Sequence, residues 1–487
     1  MARYLLETYG CTANRGEGLR IERALRERGH RPVDTPALAD VAILNTCTVT
    51  ETTEDHMVRR AQELEDAVSD LIVTGCMALA QPDRLETAGV NARVLGWDEV
   101  PDAVLNGECP TTVADGEVLL DGRVGILPIA RGCASNCSYC ITKHATGYIE
   151  SPPIEDNVER ARQLIDAGAV ELRITGQDTG VYGWDQGERW LPELLERICT
   201  IEGDFRVRLG MANPKGIHLV CDELVEVFAR HEKLYNFIHA PVQSGSDSVL
   251  ADMRRQHRVA DFVEVVETFD DALEGWTLAT DFIVGFPTET DADFQQSLDL
   301  LERVRPERIN ITRFSKRPGT DAAELDGLGG TIKKERSKAM TTAKHTVLDA
   351  VHERLVGSTR SVFAIEKGTG SSLKCRDDAY HLIVLPEPEG VTLGDRVTIE
   401  VTEAQGTYCL ARPVSEPSAT TPVAGDCAWE AYSSSSTTNV PGFHSSRSFG
   451  SRWTNTSSTS GISWIASTTL VSISCPSASV RSSPTSR

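Results

Sequence analysis

Short apolar runs alternate with amphipathic stretches along most of the chain. Three runs open it, RYLLETYGC, VAILNTC and LIVTGC, and each ends in a turn carrying one cysteine: Cys11, Cys47 and Cys76. Between them, residues 18–28 (GLRIERALRER) repeat apolar positions at helical spacing, and residues 54–68 form a charged amphipathic segment, so both are expected to be helices. Strand–helix alternation of this kind implies a parallel sheet with right-handed crossovers. In such a sheet ligands gather at the carboxyl ends of the strands, and three cysteines at three strand ends are expected to meet on one edge.

The alternation resumes with six further runs: VGILPIA, VELRIT (170–175), FRVRLG (205–210), YNFIHAPV (235–242), WTLATDFIVG (276–285) and RINITRFS (308–315). Helical segments lie between them, among them 155–167, 218–230 and 291–304. Six strand–helix units predict an open, partial (β/α)6 barrel with its site on the loops after the strands. Those loops read TGQDTG, GMANP, QSGSDS, GFPTET and SKRPGT, each an ordinary polar or Gly-rich turn, together a substrate mouth. Residues 358–414 change pattern again. TRSVFAIEK, HLIVLPE, DRVTIEVTEA and TYCLARPV are short, partly alternating strands between Gly, Pro and Asp turns, which predicts a small all-β domain. The fold expected is thus multidomain α/β: an N-terminal parallel domain (1–110), a central partial barrel (120–355), a small β domain (356–415) and a tail (416–487).

The tail differs in composition. Residues 415–487 hold 32 Ser or Thr in 73 positions but only Glu416, Asp426 and Glu430 as acids. Tracts such as SSSSTTN cannot bury enough apolar surface to offset chain entropy. Two readings stand, a disordered tail or a frameshifted reading frame, and no chemistry is placed there.

Length and charge narrow the class. A chain of 487 residues exceeds one ordinary core. No apolar run approaches the roughly 20 residues of a membrane helix, and the start lacks a signal peptide's basic flank. A cytoplasmic protein is expected, whose thiols serve as metal ligands or reactive groups rather than disulfides. The formal charge is −22, with 39 Arg and only 10 Lys. That excess argues against a general nucleic-acid coat and suggests a salt-rich cell interior that screens like-charge repulsion.

The strongest chemical signal is C-x3-C-x2-C at Cys133, Cys137 and Cys140, on the loop after the strand VGILPIA. Three thiolates suit an iron–sulfur cluster and leave one iron without a protein ligand. That iron can bind the amino and carboxylate groups of S-adenosylmethionine, whose reductive cleavage yields a carbon radical. Tyr139 is placed either to pack near the adenine or to join the core. Zinc competes for the site, because His144 extends the series to C-x3-C-x2-C-x3-H. For Cys11, Cys47 and Cys76, each alone reads as a buried thiol. In the same position of consecutive units they read as a second three-thiolate cluster site with one open metal position.

These residues carry a family resemblance. Over roughly residues 1–415 the chain resembles the radical S-adenosylmethionine methylthiotransferases: a three-Cys N-terminal domain, the C-x3-C-x2-C barrel, then a TRAM domain, which is an OB-like RNA-binding barrel. GCASNCSYCITKHATG, ITGQDTGVYG, RLGMANP and PVQSGSDSVLADMRR resemble its archaeal and eukaryotic branch, which methylthiolates N6-threonylcarbamoyladenosine beside the tRNA anticodon. The resemblance implies two 4Fe–4S clusters, the radical cluster on Cys133, Cys137 and Cys140 and the auxiliary one on Cys11, Cys47 and Cys76. It also implies S-adenosylmethionine as radical source and methyl donor. Gln177 and Asp178, in the TGQD segment that replaces a Gly-Gly-Glu motif, are candidate cofactor contacts, and so is Gln243. Tyr380 and Tyr408 are candidates to stack bases. Lys333, Lys334, Arg336, Lys338 and Lys344, with Arg254 and Arg255 (and Arg258 beside them), are candidate phosphate contacts in an otherwise acidic chain. The implied partners are tRNA and an electron donor such as ferredoxin or flavodoxin, with no membrane, and the protein is expected to be a monomer. The alternatives are a methylthiotransferase for isopentenyladenosine or for a ribosomal-protein aspartate, and a non-enzymatic RNA-binding iron–sulfur redox sensor.

Overall fold

A computed structural model of the chain describes residues 1–104 and 119–415; the Ser/Thr-rich tail lies outside the described residues. The first sheet has five parallel strands, β1 (Arg3–Thr8), β2 (Arg31–Pro32), β3 (Val41–Thr46), β4 (Leu71–Thr74) and β5 (Arg93–Val94), in the order β2-β1-β3-β4-β5. Every residue of β3 and β4 is buried, as continuous apolar strands covered on both faces must be. The connections reverse direction between β1 and β3, where such sheets open a crevice at the carboxyl ends of their strands. Cys11 follows β1 and Cys47 follows β3, on either side of that crevice, while Cys76 follows the next strand, β4. The helices expected around 18–28 and 54–68 are Thr12–Glu27 and Glu51–Glu65.

The six central strands are all present. β6 (Leu120–Asp121) pairs antiparallel with β7 (Val124–Pro128), which is followed in parallel by β8 (Glu171–Thr175) and β9 (Arg206–Arg208). β10 (Phe237–His239), β11 (Thr277–Val284) and β12 (Arg308–Arg313) form a second parallel set. Single parallel bridges, Val207 to Leu234 and Met211 to His239, join the two sets. The result is a partial barrel whose strands follow chain order. Its core runs from Leu127 to Val351 and includes Leu172, Ile174, Phe205, Val207, Phe262 and Phe282. The helix Asp291–Val304 has the expected bounds, whereas the segment 218–230 splits into Pro214–His218 and Cys221–Arg230.

The last unit is a closed five-stranded barrel of β13 (Thr359–Lys367), β14 (Leu373–Arg376), β15 (Leu382–Leu385), β16 (Arg396–Ala404) and β17 (Cys409–Pro413), in the order β13-β14-β15-β17-β16. Bulges between Ala364 and Glu366 and between Val401 and Glu403 help the sheet curl. Val362, Ala364, Ile383, Leu385, Val397, Ile399 and Cys409 fill the interior.

This barrel docks on the amino ends of the central strands, and Tyr380 is the centre of the contact. Its ring is 4% exposed and lies 4.7 Å from that of Tyr235 and 4.9 Å from that of Phe237. Its hydroxyl donates to Glu171 Oε1 at 3.3 Å, and the Arg376 guanidinium stacks 4.4 Å from the ring centre. The expectation that Tyr380 stacks bases is therefore corrected: its backbone turns at φ +64° and sends the ring into the interface between the two barrels. Tyr408 is half-buried. Around Tyr380, Arg173 pairs with Glu366 at 2.8 Å, Arg206 with Asp378 at 3.0 Å, and His381 with Glu307 at 2.6 Å and Asp377 at 2.8 Å. Among the described residues no helix is long and apolar enough to cross a membrane.

Two outcomes follow from this interface. Tyr380→Ala, measured by denaturant unfolding, should cost about 3–5 kcal/mol, the usual range for removing a buried aromatic. For His381, burial disfavours the charged imidazole, but Asp377 and Glu307 outweigh it and hold its pKa up at about 9. A raised folded pKa supplies stability that is complete below the unfolded value of about 6.5 and is lost as pH rises through the folded one. Unfolding midpoints should fall between about pH 6.5 and 9, and His381→Gln should flatten that slope.

Candidate functional site

The loop after β7 carries Cys133, Cys137 and Cys140 and is closed on itself. Arg131 and Glu150 exchange backbone hydrogen bonds at 3.1 and 2.8 Å, and the Cys133 amide donates to Gly147 O at 3.3 Å. Gly132, at φ +76°, lies so close to the Tyr148 carbonyl that no side chain fits there. The Cys140 amide reaches back to Cys137 O at 3.2 Å, which folds the x2 spacing into a turn. Ser138 fastens the loop to the rest of the rim: its amide and hydroxyl donate to Met253 O and Asp252 O, and its carbonyl accepts from the Ala322 amide.

All three thiols line one cavity of about 260 Å³, together with Gln177, Met211, His144, Thr320 and Asp321. Arg255 donates towards Cys137 Sγ at 3.6 Å and to Pro241 O at 2.8 Å. The expectation that Arg255 contacts RNA phosphate is corrected, since its guanidinium is committed to the cysteine loop. Asp178 is buried and accepts from the amides of Asn213 (2.9 Å) and Gly180 (3.1 Å). Burial nonetheless pushes its carboxyl up to about 6. Burial, then the neighbouring Asp178, raises the Cys133 thiol to about 11, so binding a metal there must release a proton. Tyr139 packs among Val249, Met253, Phe286 and Phe314. Gln243 adopts φ +75°, and its buried Oε1 has no partner; it stands two residues after Pro241, the residue Arg255 holds.

The other three cysteines meet around Asn14. Cys11 stands in the position before helix Thr12–Glu27, and its thiol donates to Asn14 Oδ1 at 3.2 Å; the Cys76 thiol approaches the same oxygen at 3.9 Å. Asn14 Nδ2 is anchored to Thr46 O at 2.9 Å, one residue before Cys47. A Cβ at Gly10 would sit 3.0 Å from Cys47 Cβ, so that turn approaches Cys47 closely. Burial pushes the Cys47 thiol up to about 11 and raises that of Cys76 well above its ordinary value, with the Cys11 thiol adding to both and Cys47 to Cys76. Sequence reasoning missed Asn14; its place three residues after Cys11, on the first turn of the helix, was the available signal.

The two triads are adjacent. The helix bearing Cys76, Gly75–Ala80, packs against Thr142–Thr146, which follows Cys140 directly. Among the described residues, no three His, Cys, Asp or Glu side chains are grouped to hold a single metal ion. A 4Fe–4S cluster spreads its thiolates over separate irons, so three soft donors around an open cavity fit one, as do the three thiols gathered around Asn14.

The candidate phosphate contacts divide by helix face. On Gly330–Glu353, Arg336 is buried beside Met340, with guanidinium nitrogens 2.6 Å from Glu289 and 2.7 Å from Asp291. It is a structural residue, contrary to expectation, because positions 333, 336, 340, 344 and 347 share the inward stripe of the helix. Lys333 and Lys344 lie at the edge of that stripe, half-buried, and Lys333 donates to Phe314 O at 3.2 Å. Lys334 and Lys338 face solvent, as does Arg254, which pairs with Asp321.

Residues 127–301 match the model described as Radical SAM superfamily, and residues 3–96 the one described as Uncharacterized protein family UPF0004. The probable threonylcarbamoyladenosine tRNA methylthiotransferase of Archaeoglobus fulgidus is 36% identical over 427 residues, spanning 85% of this chain and 99% of that protein. That of Methanothermobacter thermautotrophicus is also 36% identical over 427 residues, spanning 84% and 99%. The human threonylcarbamoyladenosine tRNA methylthiotransferase is 31% identical over 442 residues, spanning 86% and 75%. With its two adjacent cysteine triads on parallel strand ends, the chain belongs to the threonylcarbamoyladenosine tRNA methylthiotransferase family of radical S-adenosylmethionine enzymes.

Proposed function

We propose that the protein converts N6-threonylcarbamoyladenosine beside the tRNA anticodon to its 2-methylthio derivative. The observation that carries this reading is the adjacency of the two triads through the packed helices Gly75–Ala80 and Thr142–Thr146. Cys133, Cys137 and Cys140 would hold the radical 4Fe–4S cluster with S-adenosylmethionine, and Cys11, Cys47 and Cys76 the auxiliary one. When bound, the first group supplies a carbon radical able to activate an adenine C2–H that is too weakly acidic for a base, and the second supplies the sulfur. The side chains orient and insulate. Arg255 steadies Cys137 by a charge-assisted bond. The unpartnered Gln243 Oε1 offers an acceptor to a cofactor's ammonium or hydroxyl, and Gln177 lines the cavity of the three thiols. Asp178 fixes the amide of Asn213 beneath the loop.

The units 1–110, 120–355 and 356–415 serve as auxiliary-cluster, radical and RNA-binding domains, the last being of TRAM type. Exposed Lys334, Lys338 and Arg254 are the phosphate contacts this reading retains. The enzyme acts in the cytoplasm as a monomer, reduced by a donor such as ferredoxin or flavodoxin.

Nucleoside mass spectrometry of tRNA from a deletion strain tests the substrate: the 2-methylthio nucleoside should vanish, and its persistence would reject the assignment. Anaerobic reconstitution should load about eight irons per chain, two clusters of four. Replacing Cys133, Cys137 or Cys140 by Ala should abolish S-adenosylmethionine cleavage. Cys76→Ala should keep cleavage and stop thiolation, and a Cys76→Ala protein that still thiolates tRNA would contradict the division of roles.

A further inference from the structure

The loop after β12 contributes Gly319, Thr320 and Asp321 to the wall of the Cys133–Cys137–Cys140 cavity. Two residues before Gly319, Arg317 turns the other way. Its buried guanidinium pairs with Glu54 Oε1 at 2.8 Å and donates to Val49 O at 2.8 Å, both in the N-terminal unit. The turn that presents it is fixed by Thr320, whose amide and hydroxyl donate to Arg317 O at 3.1 and 2.8 Å.

Glu54 is wholly buried and is the hub on the other side. It accepts from Gln81 Nε2 at 2.7 Å and from the Thr48 hydroxyl, and Arg84 stands 3.0 Å from its second oxygen. Thr48 and Val49 immediately follow Cys47, and Gln81 ends the helix that bears Cys76. One carboxylate thus ties together the chain beyond two of the three cysteines. It is held in turn by an arginine from the loop whose next residues, Gly319 to Asp321, line the other cysteine cavity.

We propose that the Arg317–Glu54 pair is a positioning device for the sulfur-transfer half of the reaction. It sets the separation and orientation of the auxiliary triad relative to the radical triad, and S-adenosylmethionine cleavage does not depend on it. The proposal rests on the methylthiotransferase reading above. The helices Gly75–Ala80 and Thr142–Thr146 touch and bring the triads together, but the second buries no residue that would key it in place; a guanidinium fork engaging a carboxylate and a carbonyl at once fixes the register. Buried ion pairs are often replaceable by apolar groups without loss of stability, so stability alone does not account for this one.

The test compares Glu54→Gln, Arg317→Met and the double variant E54Q/R317M, which leaves no uncompensated buried charge, with Arg93→Gln at an exposed ion pair as control. Each full-length protein is reconstituted and assayed with tRNA for deoxyadenosine and methylthio nucleoside. The double variant should bind iron and release deoxyadenosine like the wild type. Its methylthio product per deoxyadenosine should fall roughly 100-fold, the penalty expected for misplacing reacting groups by about 1 Å. In the cluster-free proteins, hydrogen exchange at residues 46–50 and 316–321 should accelerate together, and Arg93→Gln should change neither readout. An unchanged product ratio in the double variant overturns the positioning role. So does a proportional fall of both products, or unchanged exchange at both segments. A wild-type protein that cleaves S-adenosylmethionine and yields no methylthio product counts instead against the activity on which the proposal rests.

Discussion

A parallel sheet buried on both faces has no surface left for chemistry except the ends of its strands. Helices cover the sides, the strands read as unbroken apolar runs, and only the loops at the carboxyl ends can carry polar or reactive groups. This protein applies that constraint twice. The N-terminal sheet places Cys11, Cys47 and Cys76 beyond β1, β3 and β4, and the partial barrel places Cys133, Cys137 and Cys140 beyond β7. The helices that bear Cys76 and follow Cys140 then pack directly on each other. Each triad is unremarkable as a loop; the chemistry depends on two sheets presenting the same kind of edge to one another.

The same constraint explains what could be read from the sequence. All six central strands announce themselves as apolar runs, and the cysteines stand at the ends of those runs, so both triads were legible from pattern and spacing. β14 was not: its sequence, Leu373-Lys-Cys-Arg376, has too few apolar positions to stand out. β2 and β5, two residues each, were too short to register. The errors in side-chain role share one cause. Arg336, Arg255 and Tyr380 belong to residue types that often face water, and each is drawn inward by a partner distant in sequence: Glu289, the Cys137 loop, and the strand ends at Tyr235 and Phe237. Local periodicity carries no record of such contacts, although the helical stripe through Met340 already assigned Arg336 to the inner face.

The excess of arginine over lysine gains a structural meaning beside its solvent one. Arg173, Arg206, Arg317, Arg336 and Arg376 are all buried, and four of them are paired with carboxylates of other segments. A guanidinium stays charged in such places and satisfies several acceptors in one plane, which a lysine ammonium cannot do. In a chain whose formal charge is −22, these internal cations let acidic segments be packed together.

The docking of the β-barrel has a consequence for traffic. Tyr380 and its surrounding arginines cap the amino ends of the central strands, so small molecules and the modified nucleoside share the doorway at the opposite rim. Closing the amino ends of the strands in this way leaves access to the cysteine cavity to their carboxyl ends.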